Sequence, residues 1–123
     1  MKLIYFFIGG VAGIFARYFL SGAVSEAAGA SFPYGTLTVN LAGCFTIGIF
    51  ASLSDEKIFL SPEVKLLLMA GFCGAFTTFS ALILDTSALV KNGENLKALG
   101  NILISVLAGF ALFRVGYSLG KLI

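Results

Sequence analysis

Thr36 and Asn40 stand four residues apart in the segment GTLTVN, residues 35–40, so on a helix they share one face. A hydroxyl and a carboxamide together offer neutral hydrogen-bond donors, a set that can hold an anion without trapping it. The alternative for Asn40 is a bond to a neighbouring helix. The segment AGFCGAFTTFSA, residues 70–81, crowds Gly71, Gly74, Thr77, Thr78 and Ser80 into an apolar run. Glycine and β-branched threonine weaken a helix, which predicts a break there. Irregular backbone at membrane depth survives only where protein or a water-filled cavity covers it, and freed carbonyls coordinate cations. The plainer reading is a flexible kink whose hydroxyls bond their own turn. Arg17, in GGVAGIFARYF, either snorkels to an interface or sets a positive potential at a pore mouth. Asn101 and Ser105, again four apart, bond another helix or complete a polar path.

Other chemistries lack their residues. The chain has no His, and Cys44 and Cys73 both sit in apolar stretches, where a thiol is a small buried hydrophobe. No Cys/His spacing suggests a metal site. No Ser/His/Asp or Cys/His set exists for hydrolysis, and no phosphate-binding glycine loop, so the sequence does not read as an enzyme. Asp85, near the end of the third apolar run, is the one acid well inside such a run. That argues against the alternative function, a small multidrug-resistance-type proton-coupled exporter, which needs an acid in its early spans. A purely structural membrane subunit is a further alternative.

These residues need a scaffold that lives in lipid. Of 123 residues, 59% are hydrophobic and 11% charged, with mean hydropathy +1.01, whereas soluble domains carry about 25% charged residues. A span takes about 20 apolar residues. The pattern predicts an all-α integral membrane protein, one four-helix domain over 1–123, with spans at about 3–21, 34–53, 63–90 and 97–120. Small residues from Ala23 to Phe32, the segment SDEKIFLSPE with Pro62, and KNGENLK are read as loops. Pro33 opens the second span, since proline is tolerated in a first turn. Met1-Lys2 before an apolar run mimics a signal peptide, but the run continues to Leu20 and carries Arg17. Gly9 and Gly13, Ser105 and Gly109, and Gly116 and Gly120 are spaced four apart. Such stripes let helices approach closely, either within one subunit or, for at least one of them, across a dimer interface.

The net charge of +2 provides no basic patch for nucleic acid. With four spans, Lys2, Lys57, Lys65 and Lys121 share one side, and Lys91 and Lys97 the other with Arg17 near the end of the first span. Short-loop Lys/Arg excess sets orientation. The near balance leaves two readings open: one orientation set by a small excess, or insertion both ways, which allows an antiparallel dimer.

Taken together, Ala16-Arg17-Tyr18 at the end of the glycine-rich first span, the segment PYGTLTVNLAGCF and the segment GFCGAFTTFS resemble the Fluc (CrcB) family of fluoride channels over nearly the whole chain. The resemblance implies an antiparallel dual-topology dimer in the bacterial plasma (inner) membrane with two fluoride pores. Its third helix is broken at the centre, and a structural Na+ sits on the two-fold axis. It implies that the Gly74 and Thr77 carbonyls hold the Na+, and that Asn40 is the pore's amide donor with Thr36 one turn earlier. Phe79 lines the pore, Arg17 sits near the vestibule, and Ser105 lies on the polar track of the fourth helix. The implied partners are fluoride, membrane lipid and a second copy, with a heterodimer open. The implied function is export of cytoplasmic fluoride down its electrochemical gradient, which reduces fluoride toxicity. One departure is Leu82: the family reads TTFSTF where this chain reads Thr77-Thr78-Phe79-Ser80-Ala81-Leu82. Asp85 falls where the family usually has Glu.

Overall fold

A computed structural model describes residues 1–55 and 60–123; Lys57 and the middle of the expected SDEKIFLSPE turn lie outside the described residues. The described residues contain helices and no strand: α1 (Lys2–Ala28), α2 (Tyr34–Asp55), α3 (62–76), α4 (Phe79–Lys91) and α5 (Asn95–Gly120). Four stretches are long and apolar enough to cross a membrane: Lys2–Ala28, Tyr34–Asp55, Pro62–Lys91 and Asn95–Gly120.

Helix ends follow local chemistry. The first helix outruns the expected loop at Ala23, because Ala23, Ala27 and Ala28 are strong helix formers. It stops only at Gly29, whose φ of 87° suits glycine. Arg17 therefore lies inside α1, not near its end. Pro33 precedes α2 and accepts from the Leu37 N–H at 3.1 Å. Ser61 caps α3, accepting from the Val64 N–H at 3.3 Å, with Pro62 in the first turn. Within α3, residues Leu66–Cys73 form a π-helix, a wide turn found mostly at functional sites. Gly93, at φ 75°, turns the chain between α4 and α5.

The helices pair as α1 on α3 and α2 on α5, with α1 also touching α2. Glycine makes both pairings close. A Cβ at Gly9 would meet the Leu67 carbonyl, and one at Gly13 the Phe72 carbonyl. On the other pair, a Cβ at Gly48 would meet the Phe113 carbonyl, at Gly116 the Phe45 carbonyl, and at Gly120 the Ser52 side chain. Gly109 lies beside the Cys44 sulfur. Each of the three stripes thus contributes glycines to close helix approach within the subunit. Without a hydrophobic drive between helices in lipid, such backbone proximity is what holds them together.

The buried core is thin, limited among the described apolar residues to Val39, Cys73, Phe76, Leu82, Leu89 and Ala98. Large apolar side chains face outward, including Phe7 at 69% and Phe110 at 68% exposure. That surface would be untenable in water and is ordinary in a bilayer.

Candidate functional site

The site is built around two extended residues. After Phe76, Thr77 has φ −83° and ψ 157°, and Thr78 has φ −152° and ψ 113°. Helix resumes at Phe79, where the Thr78 hydroxyl caps α4 by accepting from the Ala81 N–H at 3.2 Å. The Thr77 hydroxyl turns back to the Cys73 carbonyl at 2.9 Å, which also accepts from the Thr77 N–H at 3.1 Å.

Asn40 bridges to this segment from α2. Its Oδ1 accepts from the Thr78 N–H at 2.7 Å, and its Nδ2 donates to the Thr78 carbonyl at 3.0 Å. The carboxamide thus stands in for a backbone partner that the extended residue has lost. One of its two amide hydrogens remains for another acceptor. In a continuous helix the Thr78 N–H would bond the Gly74 carbonyl and the Ala81 N–H the Thr77 carbonyl. Here the first goes to Asn40 and the second to the Thr78 hydroxyl. The carbonyls of Gly74 and Thr77 are thereby released from their helical partners.

Two open cavities flank the segment, and Thr78 lines both. The first, of about 510 Å3, brings Arg17 from α1 together with Thr36 from α2 and Ser80 from α4, with Tyr18 and Ser21 also on its wall. The second, of about 310 Å3, brings Asn40, Thr77, Phe79, Leu82 and Ser105 together, with Cys44 and Cys73 beside them. Thr36 and Asn40 share a helix face but open into different cavities, with the Asn40–Thr78 pair between. Phe79 is 74% exposed, whereas Leu82 is 6% exposed. The Ser105 hydroxyl is buried and has no partner among the described residues. Gly74 lines neither cavity and is itself exposed.

Asn101 takes the alternative that its spacing left open. Its Nδ2 donates to the Thr86 hydroxyl at 3.1 Å, and that hydroxyl donates to the Leu82 carbonyl at 2.7 Å. This buried chain ties α5 to α4. Asn40 likewise makes the bond to another helix that its position left as an alternative, but its partner, Thr78, lies 38 positions away and leaves no signal in local spacing. Sequence reasoning also did not place Ser80 with Arg17, or the two cysteines beside Ser105. Asp85 sits away from both cavities, in a hollow of about 350 Å3 with Ser25, Asn92 and Glu94. Near it Lys97 donates to the Ser31 carbonyl at 3.2 Å and pairs with Glu94 at 3.5 Å.

Long apolar helices enclosing a few neutral donors, with one arginine lining the first cavity, define a multi-pass membrane protein that handles a small polar solute or ion. The family model of the CrcB-like proteins, described as Camphor Resistance (CrcB), matches residues 4–117. A protein from Solidesulfovibrio magneticus described as "Fluoride-specific ion channel FluC" is 40% identical over 122 residues, covering 99% of this chain and 98% of that one. "Fluoride-specific ion channel FluC 2" of Bradyrhizobium diazoefficiens is 44% identical over 114 residues, covering 91% and 83%. Its counterpart in Chlorobium phaeobacteroides is 44% identical over 114 residues, covering 93% and 88%. The chain belongs to the CrcB family and is a multi-pass bacterial membrane protein.

Proposed function

We propose that this chain is the subunit of a fluoride-selective channel in the plasma (inner) membrane, passing cytoplasmic fluoride outward down its electrochemical gradient. The observation that carries the reading is the pair of cavities meeting at Thr78, one under Arg17 and the other lined by neutral donors. The relatives described as fluoride-specific channels support it.

Fluoride is small and strongly hydrated, so a pore must replace its water with donors that let go again. Arg17 raises anion concentration in the first cavity. Thr36, the free amide hydrogen of Asn40 and the unpartnered Ser105 hydroxyl supply neutral donors along the path. At the start of α4 the N–H groups of Phe79 and Ser80 lack intrahelical partners, as at any helix N-terminus, and the helix dipole favours an anion there. The exposed Phe79 ring adds a positive edge. Leu82 offers packing but no such edge. Conduction down a gradient requires no nucleotide and no proton-coupled acid, so this reading is of a channel rather than an enzyme or exporter.

The same reading includes two copies in antiparallel orientation around a break in the third span, with a structural Na+ between them. The donor set supports the ion: the Gly74 and Thr77 carbonyls are hard neutral oxygens released from helical bonding, of the kind that suits a hard cation. Na+ there would neutralise the negative end of α3 and of its symmetry mate. A homodimer is favoured over a heterodimer because Asn40, Thr36, Phe79 and Ser105 all come from this one chain.

Fluoride efflux from loaded liposomes containing only the purified chain tests the function. Rapid efflux of fluoride with chloride retained is the expected result. A folded dimer that passes fluoride only when a second homologue is added overturns the homodimer, and one that passes none in either case overturns the channel.

A further inference from the structure

We infer that Asn40 is a positioning residue for the carbonyl site at Gly74 and Thr77: by holding the Thr78 backbone it keeps those carbonyls out of the helix and turned to a cation. The inference rests on the Na+ reading above and extends it by linking the site to a side chain that faces the ion path.

The geometry is specific. A carboxamide that only donated to a permeating anion would need no backbone partner of its own. Asn40 instead makes a paired contact, accepting at 2.7 Å and donating at 3.0 Å, with both polar groups of one residue. The accepted N–H is the one that would otherwise close the helical bond to Gly74. The neighbouring carbonyl, of Thr77, loses its own helical donor to the Thr78 hydroxyl. That hydroxyl can cap α4 only while Thr78 stays extended, as N-cap residues do. Removing the carboxamide leaves the part-buried Thr78 N–H and carbonyl without their protein partners. The cheapest remedy is for the N–H to return to the Gly74 carbonyl, which continues the helix and removes a cation ligand. Fluoride conduction and cation binding are then coupled through one side chain, although the ion itself never enters the fluoride path.

Thr77–Thr78 is the one Thr-Thr pair in the sequence. Threonine labelled with 13C at the carbonyl and 15N at the amide therefore gives a single carbonyl–nitrogen correlation in solid-state NMR, from the Thr77 carbonyl and the Thr78 N–H. The full chain in liposomes is titrated with NaCl against N-methylglucamine chloride. In the wild type the peak should move with Na+. In Asn40→Ala the Na+-free peak should already be displaced, and the apparent Kd for Na+ should rise about ten-fold or more, the equivalent of one net hydrogen bond. Asn40→Asp keeps an oxygen to accept the Thr78 N–H, so its Na+ Kd should stay within about three-fold of wild type while fluoride efflux is lost. It also serves if the alanine variant fails to fold. An unchanged Na+-free peak and an unchanged Kd in Asn40→Ala, or loss of Na+ binding in a folded Asn40→Asp, would overturn the inference. A wild-type peak indifferent to Na+ would refute the cation reading instead; displacement of the Na+-free peak in Asn40→Ala still decides whether Asn40 holds Thr78.

Discussion

At the residue scale, the polar side chains divide by whether the fold already uses them. Asn101 is spent on Thr86 and Asn40 partly on Thr78, but the buried Ser105 hydroxyl has no partner among the described residues, and its residue lines the second cavity. Replacing a partnered buried group leaves its mate unsatisfied, whereas replacing an unpartnered one does not. Ser105→Ala should therefore leave thermal unfolding in detergent unchanged and slow fluoride efflux by about ten-fold, the loss of one donor. A destabilised protein with normal efflux would contradict this. Asn40→Leu should abolish or greatly slow efflux while the protein remains a dimer by size-exclusion chromatography; wild-type efflux would refute its role. Leu82 is nearly fully buried but lines the second cavity, so Leu82→Phe must either overpack the helices or extend into that cavity. We expect a lower melting temperature from overpacking, about 1–3 kcal/mol, with selectivity over chloride intact because the dehydrating donors lie elsewhere. Altered fluoride-to-chloride ratios in the same efflux assay would show that position 82 takes part in selection.

At the element scale, the helices are held by backbone proximity, and the glycines differ sharply in what surrounds them. Two glycines of α5 make the contrast. A Cβ at Gly116 would strike the Phe45 carbonyl, while one at Gly100 meets nothing within 4 Å. Gly116→Ala should destabilise by about 1–3 kcal/mol as α2 is pushed away, and larger residues more. Gly100→Ala should be neutral or stabilising by about 0.5–1 kcal/mol, because it only removes a helix-weakening residue. Urea or thermal titrations of the two variants would check the order; equal losses at both would mean that a second copy of the chain packs on Gly100. Local propensity explains the ends of these elements. Alanines carry α1 past the expected loop to Gly29, and Ser61-Pro62 starts α3. The stop at Thr77 and Thr78 is different in kind, since neither residue forbids helix. It depends on a partner from α2.

For the whole molecule, charge lies near both ends and close to balance. By sequence, Lys2, Lys57, Lys65 and Lys121 share one side, and Lys91 and Lys97 the other. Arg17 belongs to neither loop set, because it lies inside α1 and lines the first cavity. With so small an excess, orientation is open to a few added charges. We expect a cysteine placed at Gly93 to be labelled from both sides of the membrane. Adding three lysines to the 29–32 loop should restrict labelling to one side and suppress efflux, with recovery on co-expression of a copy biased the opposite way. Labelling of the parent from one side only would refute the antiparallel homodimer.

The sequence by itself determined the solvent, the number of crossing segments and the residue types available for an ion. Hydropathy over about 20 residues and the absence of charge are properties of composition, which no tertiary contact can reverse. It also made Thr36, Asn40 and Thr77 candidates, since polar groups in apolar runs are costly wherever they point, and the family resemblance added Phe79. The tertiary structure decided their partners. Whether Asn101 bonds a helix or lines a path, whether the glycine stripes face inward, and which cavity Thr36 and Asn40 each meet all depend on which helices become neighbours. The strongest case is Asn40 and Thr78, 38 residues apart: helical periodicity reaches only a few residues along the chain, whereas a hydrogen bond between helices is fixed by their packing.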